Sequence, residues 1–188
     1  MDDDSEKVLM ARVCHDLITP VNAIGLGLDA FEMSGDTGML AEVRNGLSKA
    51  SGILIFLREL FSTANVDTGY TAKNLQIQVE KFLVHYNVAF ELYSQIEDLP
   101  YAIGQIIMYA ALIAKEVAPY GGKIYTKITE QEASFVYAGQ HLNAVDFSEE
   151  KLSYKNIFRI KMKEIFDMAG ATIYTDKSDD NFTISAKL

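Results

Sequence analysis

Met10-Ala11-Arg12-Val13-Cys14-His15-Asp16-Leu17-Ile18-Thr19-Pro20-Val21-Asn22-Ala23-Ile24-Gly25-Leu26-Gly27-Leu28-Asp29-Ala30-Phe31 sets apolar residues at Met10, Cys14, Leu17, Val21, Ile24, Leu28 and Phe31. The steps alternate four and three, the spacing of a helix face that meets a partner helix. Asp3, Asp4 or Ser5 is expected to cap the start of this helix, with acidic side chains at the positive end of its dipole. Ser34-Gly35-Asp36-Thr37-Gly38 is expected to end it in a turn. A second face follows at Leu40, Val43, Leu47, Ala50, Leu54, Leu57, Phe61 and Ala64, again in steps of three and four. Two such helices joined by a short turn fold back antiparallel. Further apolar columns flank each seam, Ala11, Ile18 and Gly25 on the first helix and Ile53 and Leu60 on the second. This stripe is wider than a two-helix pair covers, so the hairpins of two chains are expected to form a four-helix bundle. The alternative is a hairpin packed wholly against the rest of its own chain.

Composition narrows the remainder. The chain has 188 residues, 49% of them hydrophobic, which is ample for buried cores. No apolar run reaches the length of a membrane span, and the acidic start Met1-Asp2-Asp3-Asp4-Ser5-Glu6 is unlike a secretion signal, so a cytoplasmic address is expected. A net charge of -9 argues against duplex nucleic acid, which needs a cationic footprint, and favours a protein partner. Cys14 is the only cysteine, which excludes an internal disulfide and a cysteine metal cluster.

After a polar linker over residues 65–72 the pattern becomes mixed, so the chain divides into a helical hairpin over 1–66 and an α/β domain over 67–188. Helix is expected over 73–86, 100–118 and 153–168, and strand over 88–93, 123–128, 134–138, 171–175 and 182–186. The fold class is therefore α+β, with a C-terminal two-layer sandwich of one sheet covered on one face by three helices.

His15 directly follows the seam residue Cys14, which turns its imidazole away from the bundle core. His15-Asp16-Leu17-Ile18-Thr19-Pro20 resembles the phosphoacceptor box of two-component histidine kinases. A histidine with a reference pKa near about 6.5 keeps a ring lone pair for attack on phosphorus. Asp16 can hold the other ring N–H and fix the tautomer. Thr19 lies one turn further on the same face, within reach of a phosphoryl group or a water beside it. Pro20 lacks an amide proton and should bend the helix just beyond the site. Arg12, one turn before His15, and Arg58, brought near its height by counting back from the turn, can offer charge to phosphoryl oxygens or can be ordinary surface arginines. Ile55 and Phe56 lie off the second seam and mark a docking patch for a partner or for the second domain. Metal-dependent phosphohydrolases also use a His-Asp pair, but they need a histidine upstream, and none precedes His15. His85 and His141 have no ligand or triad spacing and are read as structural.

Gln105-Ile106-Ile107-Met108-Tyr109 through Pro119-Tyr120-Gly121-Gly122-Lys123-Ile124 is similar to the helix and strand of a histidine-kinase ATP-binding domain. Tyr109 and Ile113 replace the two asparagines of that family, and Val136-Tyr137-Ala138-Gly139-Gln140-His141 replaces its adenine-reading segment. Tyr154-Lys155-Asn156-Ile157-Phe158 stands where its second glycine-rich box would cradle phosphates. An apolar Ile113 cannot hold a hard cation, so neither ATP nor a resident metal is expected.

A phosphoacceptor hairpin joined to a degenerate kinase domain resembles the ChpT-type histidine phosphotransferases of alphaproteobacterial cell-cycle phosphorelays. The resemblance runs through nearly the whole chain. It implies a homodimer that takes phosphoryl from the receiver domain of a CckA-like hybrid histidine kinase and passes it to CtrA-like and CpdR-like response regulators. Mg²⁺ would come from the receiver, Ala11, Ile18, Asn22, Ile55 and Phe56 would dock it, and His15 would carry the phosphoryl group. An active histidine kinase core, a non-catalytic dimeric receiver-binding adaptor and a phosphatase that uses Asp16 and Thr19 are the competing readings.

Overall fold

The computed structural model describes residues 3–149 and 151–188. Two long antiparallel helices, α1 (Asp3–Ser34) and α2 (Met39–Leu60), form the hairpin. Ser34-Gly35 closes α1 as the sequence requires: Gly35 adopts φ 67° and donates its amide to the Phe31 carbonyl at 2.8 Å. Asp36 Oδ1 then accepts the Gly38 amide at 2.8 Å and starts α2. The α1 start differs from expectation. The helix already runs from Asp3, so Asp4 and Ser5 lie inside its first turn and cap nothing; residues 1 and 2 and the Asp3 side chain lie outside the described residues.

The helices touch closely because small residues stand at their crossing. A Cβ at Gly46 would lie 2.9 Å from both Ile24 Cγ1 and the Pro20 carbonyl, and one at Gly27 would lie 2.8 Å from Val43 Cγ2. Helix α1 continues through Pro20 to Ser34.

The seams divide between two surroundings. Leu57, Ala50 and partly buried Leu17 face inward, whereas Met10, Cys14, Val21 and Leu28 of α1, Leu47 and Leu54 of α2 and Phe61 at its C-cap are exposed on the single chain. Ile53 and Leu60, read as a flanking column, are core residues.

The second part comprises β1 (Tyr70–Thr71), α3 (Ala72–Leu83), β2 (Val88–Ser94), β3 (Asp98–Leu99), α4 (Tyr101–Val117), β4 (Gly122–Ile128), β5 (Glu132–Ala138), α5 (Ile157–Met168), β6 (Ile173–Lys177) and β7 (Asn181–Lys187). The main sheet has the order β2-β4-β5-β7-β6, with β2 parallel to β4 and all other pairs antiparallel. Alternate residues of β5 and β7, among them Phe135, Tyr137, Phe182 and Ile184, are buried, and the buried Tyr137 hydroxyl donates to the Ala110 carbonyl of α4 at 2.8 Å. The Pro119-Tyr120-Gly121-Gly122 turn needs its glycines: φ is 91° at Gly121 and 145° at Gly122, and side chains there would strike the Asn87 and Ala138 carbonyls.

Three local differences have physical causes. Thr71 caps α3, accepting the Asn74 amide at 3.3 Å, and the two-residue strands β1 and β3 pair beside it, too short to show a period. Helix α5 starts at Ile157 rather than 153, because Asn156 Oδ1 accepts the Ser153 amide at 2.9 Å and folds 153–156 into a turn. Ala171 donates to the Phe166 carbonyl at 2.9 Å as part of the α5 stop, so β6 begins only at Ile173.

One hydrophobic core unites both parts. Ile53, Phe56, Leu57 and Leu60 of α2 pack with Leu75, Val79, Phe82 and Leu83 of α3 and with the buried residues of α4. The inward face of the hairpin thus takes the alternative cover named above, its own chain, while the outward face stays open.

Candidate functional site

His15 lies where this packing brings α1 against the end of α4 and the loop before α5. Its side chain is 54% exposed, and Nδ1 stands 3.2 Å from Asp16 Oδ1. A carboxylate only accepts hydrogen bonds, so Nδ1–H donates, and in the neutral ring this tautomer places the lone pair on Nε2. Asp16 is held as a carboxylate. Burial opposes its ionisation, but Arg12, His15 and Lys115 together outweigh burial and hold its pKa below the usual aspartate value.

Arg12 occupies a different place from the one its spacing implies. It is 6% exposed, binds Asp16 Oδ2 at 3.0 Å through Nε, approaches Glu116 Oε1 at 3.3 Å and donates to the Tyr154 carbonyl at 3.1 Å. Its guanidinium also lies 5.0 Å from the centre of the Phe158 ring. Glu116 in turn meets Arg159 Nε at 3.3 Å, and burial raises its pKa despite both arginines. Arg12 therefore joins α1 to α4 and α5 and orients Asp16, with its donors turned inward.

Arg58 is also displaced from its expected height. The close approaches of Gly27 to Val43 and Gly46 to Ile24 put residues 51–55 opposite His15, and Arg58 lines the outward groove with Glu6, Met10 and Phe61. Thr19 is exposed one turn beyond His15. Ala11, Ile18 and Asn22, at helical spacing around His15, are exposed, as is Ile55. Phe56 is not available for docking: it is 3% exposed and stacked on Phe82 with ring centres 4.1 Å apart, so it serves the second domain.

Several site residues carry no signal in the sequence. Tyr154 places its ring 5.5 Å from that of His15. Asn156, 1% exposed, anchors the loop that presents it, donating through Nδ2 to the Lys151 carbonyl at 2.9 Å. Lys115 Nζ stands 3.6 Å from Asp16 Oδ1, and Lys49 lies over the Tyr86 ring with Nζ 4.8 Å from its centre. At the positions compared with nucleotide-binding asparagines, Tyr109 is buried 6.4 Å from the Phe158 ring and Ile113 is wholly within the core. Among the described residues no cluster of His, Cys, Asp and Glu could hold a metal ion, and no helix is long and apolar enough to cross a membrane.

A helical hairpin that carries His15 against the Asp16 carboxylate, beside a five-stranded sheet with helices on one face, defines a histidine-kinase-like fold. Across 99% of this chain the fold matches a solved bacterial phosphotransferase, with TM-score 0.84, 20% identity and 97% of that chain covered. The histidine kinase AdeS of Acinetobacter baumannii matches over 93% of this chain and 96% of its own, with TM-score 0.50 and 15% identity. In sequence, the chain is similar to the protein phosphotransferase ChpT of Brucella abortus, 38% identical over 72 residues. That match spans 35% of this chain and 34% of the relative. No protein-family profile matches.

Proposed function

We propose that this protein is a histidine phosphotransferase of a two-component phosphorelay, moving phosphoryl groups between receiver-domain aspartates through His15. The observation that carries the reading is the His15 ring itself, with Nδ1 tied to the Asp16 carboxylate and the side chain half exposed. The Nε2 lone pair attacks phosphorus as the bond to the aspartyl oxygen breaks, and the leaving carboxylate keeps that electron pair. The Nδ1 proton stays shared with Asp16, whose negative charge balances the cationic ring. The receiver supplies Mg²⁺, and little covalent help is needed beyond positioning and charge.

ATP has no part in this reading. The burial of Tyr109 beside Phe158 and the Asn156-anchored turn that ties 151–156 together support that view, since a phosphate cradle needs bare, adaptable backbone amides. A homodimer is supported by the exposed columns Cys14, Val21, Leu28 and Leu47, Leu54, Phe61, which repeat every seven residues on both helices. Ala11, Ile18, Asn22 and Ile55 form the docking surface for receivers of the CckA-like, CtrA-like and CpdR-like kinds. A cytoplasmic location accords with such partners.

The test is label transfer. A receiver phosphorylated on aspartate and mixed with the protein should pass its label to the wild type and not to His15→Ala. Robust labelling from ATP without a partner would instead make the chain a kinase, and label that stays on the receiver would make it an adaptor.

A further inference from the structure

We infer that Tyr154 is a positioning residue for His15: its ring, brought in by the loop before α5, holds the imidazole in the orientation at which Nδ1 meets Asp16. The inference rests on the phosphotransfer reading of His15 and deepens it.

Four contacts close a circuit around the imidazole. His15 Nδ1 stands 3.2 Å from Asp16 Oδ1, and Asp16 Oδ2 accepts from Arg12 Nε at 3.0 Å. The same guanidinium donates through Nη1 to the Tyr154 carbonyl at 3.1 Å. The Tyr154 ring then returns to the imidazole, with ring centres 5.5 Å apart and planes inclined at 40°, within the range of favourable aromatic pairs. The outer torsion of a histidine is broad and roughly twofold, so a half-exposed ring held at Nδ1 alone can turn over. A second contact from another element removes that freedom. Position matters because Nε2 must meet phosphorus along one line, and small misplacements of a reacting atom are costly.

Tyr154 can serve in this way because its loop is fixed on both sides. The buried Asn156 side chain accepts the Ser153 amide at 2.9 Å and the Ser153 hydroxyl at 3.1 Å, and it donates to the Lys151 carbonyl at 2.9 Å. Arg12 ties this clasped turn to α1, the helix that carries His15. The Tyr154 side chain is 41% exposed, so it contributes little to the core. Lys155 Nζ lies 6.0 Å from its ring centre, at the outer limit of a cation–ring contact, which leaves the imidazole as the closer partner.

The test reads the imidazole directly in the full-length protein. The chain has 3 histidines, so nitrogen-15 labelling of histidine and comparison with His15→Ala assign the His15 ring nitrogens. At about pH 8, above the ordinary imidazole midpoint, the ratio of Nδ1–H to Nε2–H forms should fall about threefold to tenfold in Tyr154→Ala, the fold-change one aromatic pair supports. Tyr154→Gln, which keeps bulk without a ring, should match it, with circular dichroism spectra that coincide with the wild type. Tyr154→Phe should restore the wild-type ratio, because the contact is ring to ring. An unchanged ratio in both ring-free variants would overturn the inference. Transfer from a phosphorylated receiver is the second arm: the maximal rate should fall by a similar factor at an unchanged half-saturating receiver concentration, and recover in Tyr154→Phe. A raised half-saturating concentration at an unchanged maximal rate would make Tyr154 a receiver contact and overturn the inference as well. If the wild type takes no label from any receiver but the ratio still falls and recovers, the positioning role stands and the relay reading falls.

Discussion

Asp16 concentrates the chemistry of this protein in one carboxylate, with an imidazole and an ammonium on one oxygen and a guanidinium on the other. Asp16→Asn should cut phosphotransfer on the order of tenfold to a hundredfold, the range found when a group that fixes a histidine ring is removed. Initial rates from a phosphorylated receiver check this, and an unchanged rate would show that Nε2 needs no such help. The same substitution gives a pH signature. Because the folded-state pKa of Asp16 is depressed, its contribution to stability is complete above the ordinary aspartate value and is lost as pH falls through the folded-state value. The stability gap between wild type and Asp16→Asn should therefore be steady near neutrality and close below about pH 4, as denaturant titration would report. The placement of His15 against Asp16, with Thr19 one turn on, was legible in the sequence because neighbours on one helix are fixed by local spacing. The true role of Arg12 was not, since its carbonyl partner on Tyr154 lies 142 residues away and no local spacing encodes it.

Helix α2 is asked to face two environments at once. Leu57 and Leu60 turn into the core shared with α3 and α4, while Leu47 and Leu54, with Phe61 just past the helix end, repeat every seven residues on a neighbouring stripe that is exposed. The heptad pattern revealed both helices and their stop at Ser34-Gly35, yet it merged the two stripes into one seam, because apolar spacing alone cannot say which neighbour covers which column. Phe56, read as a patch for a partner or for the second domain, packs on the second domain, and Leu54, read as part of a seam between two chains, is exposed on the single chain. If a second copy covers the outer column, Leu54→Glu places like charges at the centre of an apolar seam and should convert a dimer to a monomer with its circular dichroism intact. Sedimentation velocity distinguishes the outcomes, and an unaltered sedimentation coefficient would leave the outer face without a partner copy.

Joining the hairpin to the sheet through a common core changes what each can do alone. Ile53, Phe56, Leu57 and Leu60 are each at most 5% exposed, and their burial removes about 1.5–3 kcal/mol of unfavourable exposure per side chain as an upper estimate. Four such residues approach the roughly 5–15 kcal/mol that holds a whole domain folded, so hairpin and sheet should not melt separately. The Arg12–Glu116–Arg159 chain adds little net stability at this junction, since desolvation offsets most of its Coulombic gain, but it fixes the angle at which α1 meets α4. Hence the sheet acts on His15 by position, through the angle at which α1 meets α4. Phe56→Ala tests the shared core directly, because Phe56 lies on α2 and stacks on Phe82 of α3. It should destabilise the protein by about 3–5 kcal/mol, the usual cost of emptying a buried phenylalanine site. Helical circular dichroism and exposure of the sheet tyrosines should lose structure at the same lowered midpoint, as one cooperative unit requires. Two separated transitions, with only the hairpin shifted, would show that the halves fold independently and that His15 is positioned by its own hairpin alone.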